Sequence, residues 1–185
     1  DTWGVDFGLL DKNGNLLQNP VHYRDSRTDG MPEKLFSVVP KEEVYNETGI
    51  QIMKFNTIFQ LFTIAQKEPE LLERAETMLF IPDLFAYFLT GVKKAEYSIV
   101  STSQIMNPNT GEWTYDLLEK LGVPTSILPE IIDAGSIYGM LSDDICEELG
   151  VPKVDVIAVA SHDTASAVVA VPATEKDFVY ISCGT

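Results

Sequence analysis

The chain has 185 residues, 45% of them hydrophobic, which gives room for one domain with a substantial core and excludes a disordered tail. A formal net charge of −15 argues against a nucleic-acid backbone or an anionic membrane as partner, though backbone N–H groups and a metal ion can still hold phosphate in an acidic protein. Two distant cysteines, Cys146 and Cys183, make no disulfide framework and fit a reducing, cytoplasmic setting.

Other classes fall away on spacing. No Cys or His pair stands at zinc-ligand separation, so no structural metal is expected. No apolar run reaches about 18 residues, so no transmembrane helix is expected. The first residues lack the basic and apolar regions of a signal peptide and begin in what reads as mid-strand, as a fragment would.

The first element is a strand from Trp3 to Leu10, where Val5, Phe7 and Leu9 alternate with Asp6 and Gly8. Asn13-Gly14 is a hairpin turn, and Leu16-Leu17 begins the returning strand. Tyr23-Arg24-Asp25-Ser26-Arg27-Thr28 is its polar end and reads as a local salt-bridge and turn motif. Helical pieces follow over Glu33–Val39 and Glu42–Glu47, punctuated by Pro40 and Gly49. Asn56 is the expected cap of a helix over Thr57–Lys67, whose Ile58, Leu61, Phe62 and Ala65 share a face.

Pro69–Ala75 is a further short helix and Leu79–Ile81 a strand. Pro82 suits the first turn of a helix over Asp83–Leu89 that Gly91 stops. The stretch from Glu96 to Met106 is polar and small, and helical after Ser98. Trp113–Leu121 and Asp143–Leu149 read as helices, joined by a connection through Pro129 and the segment from Gly135 to Gly139.

The stretch Val154–Val171 is the centre of the reading. Val154, Val156, Ile157 and Val159 form a β-branched run suited to a strand buried on both faces of a parallel sheet. Ser161-His162-Asp163-Thr164 breaks it, and a helix over Ala165–Ala170 runs to Pro172. Ligands bind at such strand-to-helix junctions in open α/β sheets. An ionised Asp163 near the helix N-terminus could take a proton from a substrate hydroxyl, with His162 and Thr164 bonding other hydroxyls. On the residues alone a structural N-cap is the favoured reading of Asp163. Beyond Pro172, Phe178–Ser182 reads as another strand, ending in Cys183-Gly184-Thr185.

SHDTASAVVAVP, DTWGVDFGLLD and YISCGT, with YRDSRT, FNTIFQL and PDLFAYFLTG in the same order, resemble the FGGY sugar-kinase family of the actin-like ATPase superfamily, and most specifically its rhamnulokinase branch. The resemblance runs along essentially the whole chain. It implies an α/β domain of actin-like, ribonuclease H-like type, a mixed sheet flanked by helices with a helical insertion. It implies ATP with Mg²⁺ as cofactors and a small ketose as substrate, with transfer of the γ-phosphate to the 1-hydroxyl of L-rhamnulose. Asp163 would be the base. Gly4, which lets a ligand approach the backbone closely, would join His162, Asp163 and Thr164 at the sugar. Thr185 would contact ATP from a glycine turn. Gln51 and Asn56 are cleft polars in this picture.

The resemblance also implies limits. The family's first phosphate loop would precede residue 1 and its adenosine-binding domain would follow residue 185, so the chain would be most of an N-terminal sugar-binding domain, inactive by itself. Two other readings stay open: the same chemistry on another ketose such as L-fuculose or L-xylulose, and a sugar-binding or regulatory domain without catalysis.

Overall fold

The computed structural model describes residues 1–175 and 177–183. Strand β1 (Phe7–Leu10) pairs antiparallel with β2 (Thr77–Phe80), and all eight residues are buried. Helices α1 (Met31–Phe36), α2 (Lys41–Thr48), α3 (Thr57–Lys67) and α4 (Pro69–Arg74) intervene in sequence. Thr57 to Ile64 of α3 are buried without a break, so this helix is covered on all sides rather than lying on the surface. Its apolar side chains join Phe7, Leu9, Leu35, Val44, Phe80 and Leu118 in the main core.

Helix α5 (Ile81–Thr90) follows β2 directly, with Pro82 in its first turn, and ends at Gly91 in the left-handed conformation (φ 73°). It packs against β1 and β2 and a second layer of short strands. There β3 (Lys94–Glu96) leads into α6 (Tyr97–Val100), and β4 (Met106–Asn107) pairs antiparallel with β5 (Glu112–Trp113). After α7 (Tyr115–Lys120), β6 (Glu130–Ile132) pairs parallel with β3. Then β7 (Ile137–Met140), α8 (Asp143–Leu149), β8 (Asp155–Ile157) and α9 (Asp163–Val169) complete the order. Ala86, Ile132, Tyr138 and Ala158 form a small core beneath this end.

The α/β class is as expected, with parallel and antiparallel pairing both present and helices against the strands. The pairing is distributed over four two-stranded units. Helices α3 and α8 have the bounds read from the sequence: Ser142 caps α8 and Gly150 stops it, while α3 ends before Pro69 and its expected cap Asn56 makes no side-chain cap bond.

Several elements differ. Trp113, expected in a helix over Trp113–Leu121, lies in β5, and the helix is Tyr115–Lys120; the connection expected from Gly135 to Gly139 holds most of β7. The first strand starts at Phe7, because Val5 sits at φ 67° and breaks the extended run. The hairpin turn forms, with Asp11 N donating to Asn15 O at 2.8 Å, but the return is a single bridge from Leu10 to Leu16, with Leu17 N donating to Leu9 O at 2.9 Å. The Val154–Ala160 run is a three-residue strand antiparallel to β7, with Val154, Ile157 and Val159 about half exposed. An apolar run reports which faces avoid water, not which neighbour covers them. Phe178–Ser182 forms no ladder among the described residues, and Val179 is 92% exposed. β-Prone residues make a strand only where a partner strand is present.

Candidate functional site

Thr2 forms a parallel bridge with His162. Thr2 N donates to Ser161 O and Asp163 N donates to Thr2 O, both at 2.8 Å. The bridge lays Trp3-Gly4-Val5 alongside His162-Asp163-Thr164. Ser101 and Thr102, just after α6, and the segment before α3 (Ile50, Gln51, Phe55 and Asn56) complete the lining of a cleft of about 470 Å³.

The floor of the cleft is strained. Val5 is β-branched and at φ 67°, in a region such residues almost never occupy. Val5 N donates to Thr102 Oγ1 at 3.0 Å, and Val5 O accepts from Thr57 Oγ1 at 2.7 Å and Gln60 Nε2 at 3.2 Å. Three partners on one peptide hold a conformation that the residue alone would leave.

One wall is aromatic. Trp3, Tyr23 and Phe55 line it, with Tyr23 and Phe55 centroids 5.3 Å apart and His22 packed between Trp3 and Tyr23. Asp6 sets this wall: buried, it accepts from Trp3 Nε1 at 2.7 Å and from Tyr23 N at 3.1 Å. The YRDSRT turn forms as read, with Asp25 accepting from Arg27 N. Its arginines do not pair with Asp25: Arg27 donates to Gln60 Oε1, and Arg24 donates to the Tyr23 hydroxyl and lies over its ring. Burial lowers the pKa of Arg27, opposed by Asp25, Asp6 and Glu68.

The rest of the lining is largely polar: Gln51, Asn56, Thr102, His162, Asp163 and Thr164. Asn56 precedes α3 but caps nothing with its side chain, donating instead to Gln51 O at 3.0 Å and Gln104 Oε1 at 2.9 Å. Asp163 is the first residue of α9, and its side chain is 56% exposed to the cleft. Its Oδ1 accepts from Thr164 N at 2.6 Å and Thr164 Oγ1 at 3.2 Å, and lies 3.3 Å from His162 Nε2. Burial lowers the pKa of His162 below 6.5 against the pull of Asp163 and Glu96. The imidazole is therefore neutral at pH 7 and serves as a hydrogen-bonding group.

Gly4, His162, Asp163 and Thr164 thus meet in one cleft, which Gln51 and Asn56 also line. Thr185 lies outside the described residues. Gly4 has a second constraint that the sequence did not reveal: a Cβ there would stand 2.8–2.9 Å from three atoms of Thr102. Thr102, Phe55, Asp6 and Glu96 were not singled out as site residues. Glu96 carries the one usable signal, an acidic residue two before Ser98 at the head of a helix. Among the described residues no group of three or more His, Cys, Asp or Glu could hold a metal ion. No helix among them is long and apolar enough to cross a membrane.

The sequence profile described as "FGGY family of carbohydrate kinases, N-terminal domain" matches residues 2–170. A protein of Bacteroides thetaiotaomicron named rhamnulokinase is 45% identical over all 185 residues, which cover 38% of that protein. A rhamnulokinase of Oceanobacillus iheyensis is 48% identical over the same span, 39% of its length. The chain therefore spans well under half of these curated relatives. Among solved structures, a xylulose kinase from Rhodospirillum rubrum superposes with a TM-score of 0.82 at 20% identity, over 91% of this chain and 35% of that one. A gluconate kinase from Lactobacillus acidophilus gives 0.77 at 19%, over 86% and 32%. At such identities the likeness is one of fold.

Proposed function

The chain belongs to the FGGY family of carbohydrate kinases, and from that membership we propose that it forms most of the N-terminal, sugar-binding domain of an ATP-dependent kinase that phosphorylates L-rhamnulose at its 1-hydroxyl. The observation that carries this reading is the cleft lined both by an exposed carboxylate, Asp163, and by the aromatic rings of Trp3, Tyr23 and Phe55. A sugar hydroxyl must lose its proton as it attacks phosphorus, and Asp163 Oδ takes that proton. His162, neutral and 3.3 Å from Asp163 Oδ1, bonds a second hydroxyl, and Thr164 orients the carboxylate. ATP with Mg²⁺ supplies the phosphoryl group. Thr185, expected at its phosphates, is outside the described residues, so no geometry is assigned to the nucleotide.

Substrate choice follows from the two walls. L-Rhamnulose is a 6-deoxyketose, with hydroxyls along the chain and a methyl group at one end. Its hydroxyls match Gln51, Asn56, Thr102 and His162, and its methyl matches Tyr23 and Phe55. The match to proteins named rhamnulokinase along the full chain supports the same choice. L-Fuculose shares the methyl and L-xylulose lacks it. ATP as co-substrate and two free cysteines, Cys146 and Cys183, support a cytoplasmic setting.

The test is a coupled ADP-release assay on the complete enzyme with L-rhamnulose, L-fuculose, L-xylulose and L-fructose. The expected order puts L-rhamnulose first in kcat/KM. A preference for L-xylulose would reject the role of the aromatic wall, and no turnover with any ketose would favour a binding domain without catalysis.

A further inference from the structure

Behind the cleft wall lies a carboxylate that touches no part of the cleft. Glu96 ends β3, precedes α6 and is 1% exposed. Its Oε1 accepts from Ser98 N at 2.9 Å. Its Oε2 accepts from Ser98 Oγ at 2.5 Å, Ile99 N at 3.3 Å, Ser161 N at 3.0 Å and Ser161 Oγ at 2.7 Å. Capping α6 uses only Ser98 and Ile99. The two bonds to Ser161 reach 65 residues along the chain and add nothing to α6. Ser98 Oγ also accepts from His162 N at 3.2 Å, so the same assembly grips the next residue. Glu96 itself is held from behind, where its N–H donates to Asp83 Oδ1 at 3.0 Å.

We infer that Glu96 is a positioning residue that fixes the Ser161-His162 turn and thereby sets where the Asp163 carboxylate stands in the cleft. The inference rests on Asp163 being the base of the proposed reaction. Its physical basis is that only a carboxylate satisfies this site. Serine hydroxyls can rotate, but Ser98, Ile99 and Ser161 present backbone N–H groups that cannot reverse. A glutamine has one oxygen. With that oxygen on Ile99 and Ser161, its amide NH₂ must point at the Ser98 N–H. Two buried donors then face each other, and the turn has to move. Misplacement of a reacting group by about 1 Å can cost about 10²-fold in rate. Helix α9 has no buried residue to resist that movement.

The test is a double-mutant cycle in the complete enzyme, using Glu96→Gln, Asp163→Asn and the pair, with Ser161→Ala as a gentler variant that removes one hydroxyl and keeps the backbone N–H. Glu96→Gln is expected to lose about 10²-fold in kcat with sugar KM within a few-fold. In the Asp163→Asn background it is expected to cost less than about three-fold, because there is no base left to misplace. Ser161→Ala is expected to show the same pattern at about ten-fold, and it decides the matter if Glu96→Gln does not fold. Near-normal kcat in Glu96→Gln, beside a slow Asp163→Asn, overturns the positioning role alone. A loss of equal size in both backgrounds also overturns it, since general destabilisation would be additive. Near-normal kcat in Asp163→Asn overturns the base reading and, with it, the purpose assigned to Glu96.

Discussion

Thr102 occupies the space into which a side chain at Gly4 would project. An ideal Cβ on Gly4 would stand 2.8 Å from Thr102 Oγ1 and 2.9 Å from its Cβ and Cγ2. These are the stiff, branched atoms of the threonine, and its hydroxyl holds the strained Val5 N–H. Gly4→Ala therefore cannot be absorbed by a flexible side chain. We expect the substitution to raise the sugar KM several-fold and to destabilise by about 1–3 kcal/mol, the range for overpacking. Kinetics for both substrates with a thermal melt check it. A shift in ATP KM at constant sugar KM would assign Gly4 to the wrong ligand.

Asp163→Asn should retain sugar binding and lose about 10²–10⁴-fold in turnover, the range for removal of a general base. Sugar affinity by calorimetry and kcat by ADP release separate the two effects. Turnover within a few-fold of the parent, in a folded variant, would leave Asp163 as a helix-starting residue only.

Phe55→Ala should blunt discrimination by the aromatic wall. One methyl in an apolar pocket is worth about 1–3 kcal/mol, so the preference for L-rhamnulose over L-fructose, its 6-hydroxy counterpart, should fall by about ten-fold or more. An unchanged ratio of kcat/KM values would show that the methyl group lies elsewhere.

Asp83 makes stability pH-dependent. It is fully buried, burial raises its pKa to about 7, and its Oδ2 has no partner among the described residues. Tyr138 opposes that rise by donating to Oδ1, and the phenol's own pKa is pushed up, by burial first and then by the Asp83 carboxylate. The folded state then holds a proton that the unfolded chain gives up near its model value of 3.8. The folded state binds more protons in this window, so this contribution is complete below about pH 4 and is lost as pH rises to about 7. Asp83→Asn, a neutral mimic of the protonated acid, should remove that slope. Denaturant midpoints at pH 5 and pH 8 test it, and an equal slope in parent and variant would exclude Asp83 as its source.

The 185-residue chain by itself is expected to release no ADP in a sugar-dependent manner. The cleft holds candidate sugar contacts, and among the described residues no group of three or more His, Cys, Asp or Glu could hold the metal ion of a metal-bound triphosphate. Titration with ATP·Mg²⁺ and with L-rhamnulose beside a coupled assay would show this. Sugar-dependent turnover by the isolated chain would refute it.

What the sequence disclosed follows the range of the interactions involved. Helices α3 and α8 are local objects, written by caps, stops and apolar spacing within about a dozen residues, and their bounds were legible. The two-residue strands β4 and β5, and the parallel pairing of β3 with β6, carry too little local pattern to announce themselves. At the site, Asp163 and its neighbours stood out because a polar tetrad interrupts an apolar run. Glu96 and Thr102 did not, because they act on Ser161 and Val5, 65 and 97 positions away; Asp6, which holds Trp3 and Tyr23, reads in sequence as an ordinary polar position of the first strand. Gly4 drew attention as a bare backbone, yet the atoms that forbid its side chain belong to Thr102, 97 positions from Val5, which it also holds.

The bridge between Thr2 and His162 also bears on the order in which the molecule can assemble. Helices α1, α3 and α4 meet partners close in sequence, so collapse around α3 requires only short loops to close. The cleft instead waits for Thr2 to meet His162, 160 positions away, and contacts of that separation form slowly. Trp113, stacked on Phe80 in the core, and Trp3, on the cleft wall, are the two tryptophans of the chain, and they report on these two stages separately. In a refolding experiment the helical signal and Trp113 would recover first. Trp3 would follow at the same rate as sugar binding, because the pocket and the meeting of Thr2 with His162 are one event.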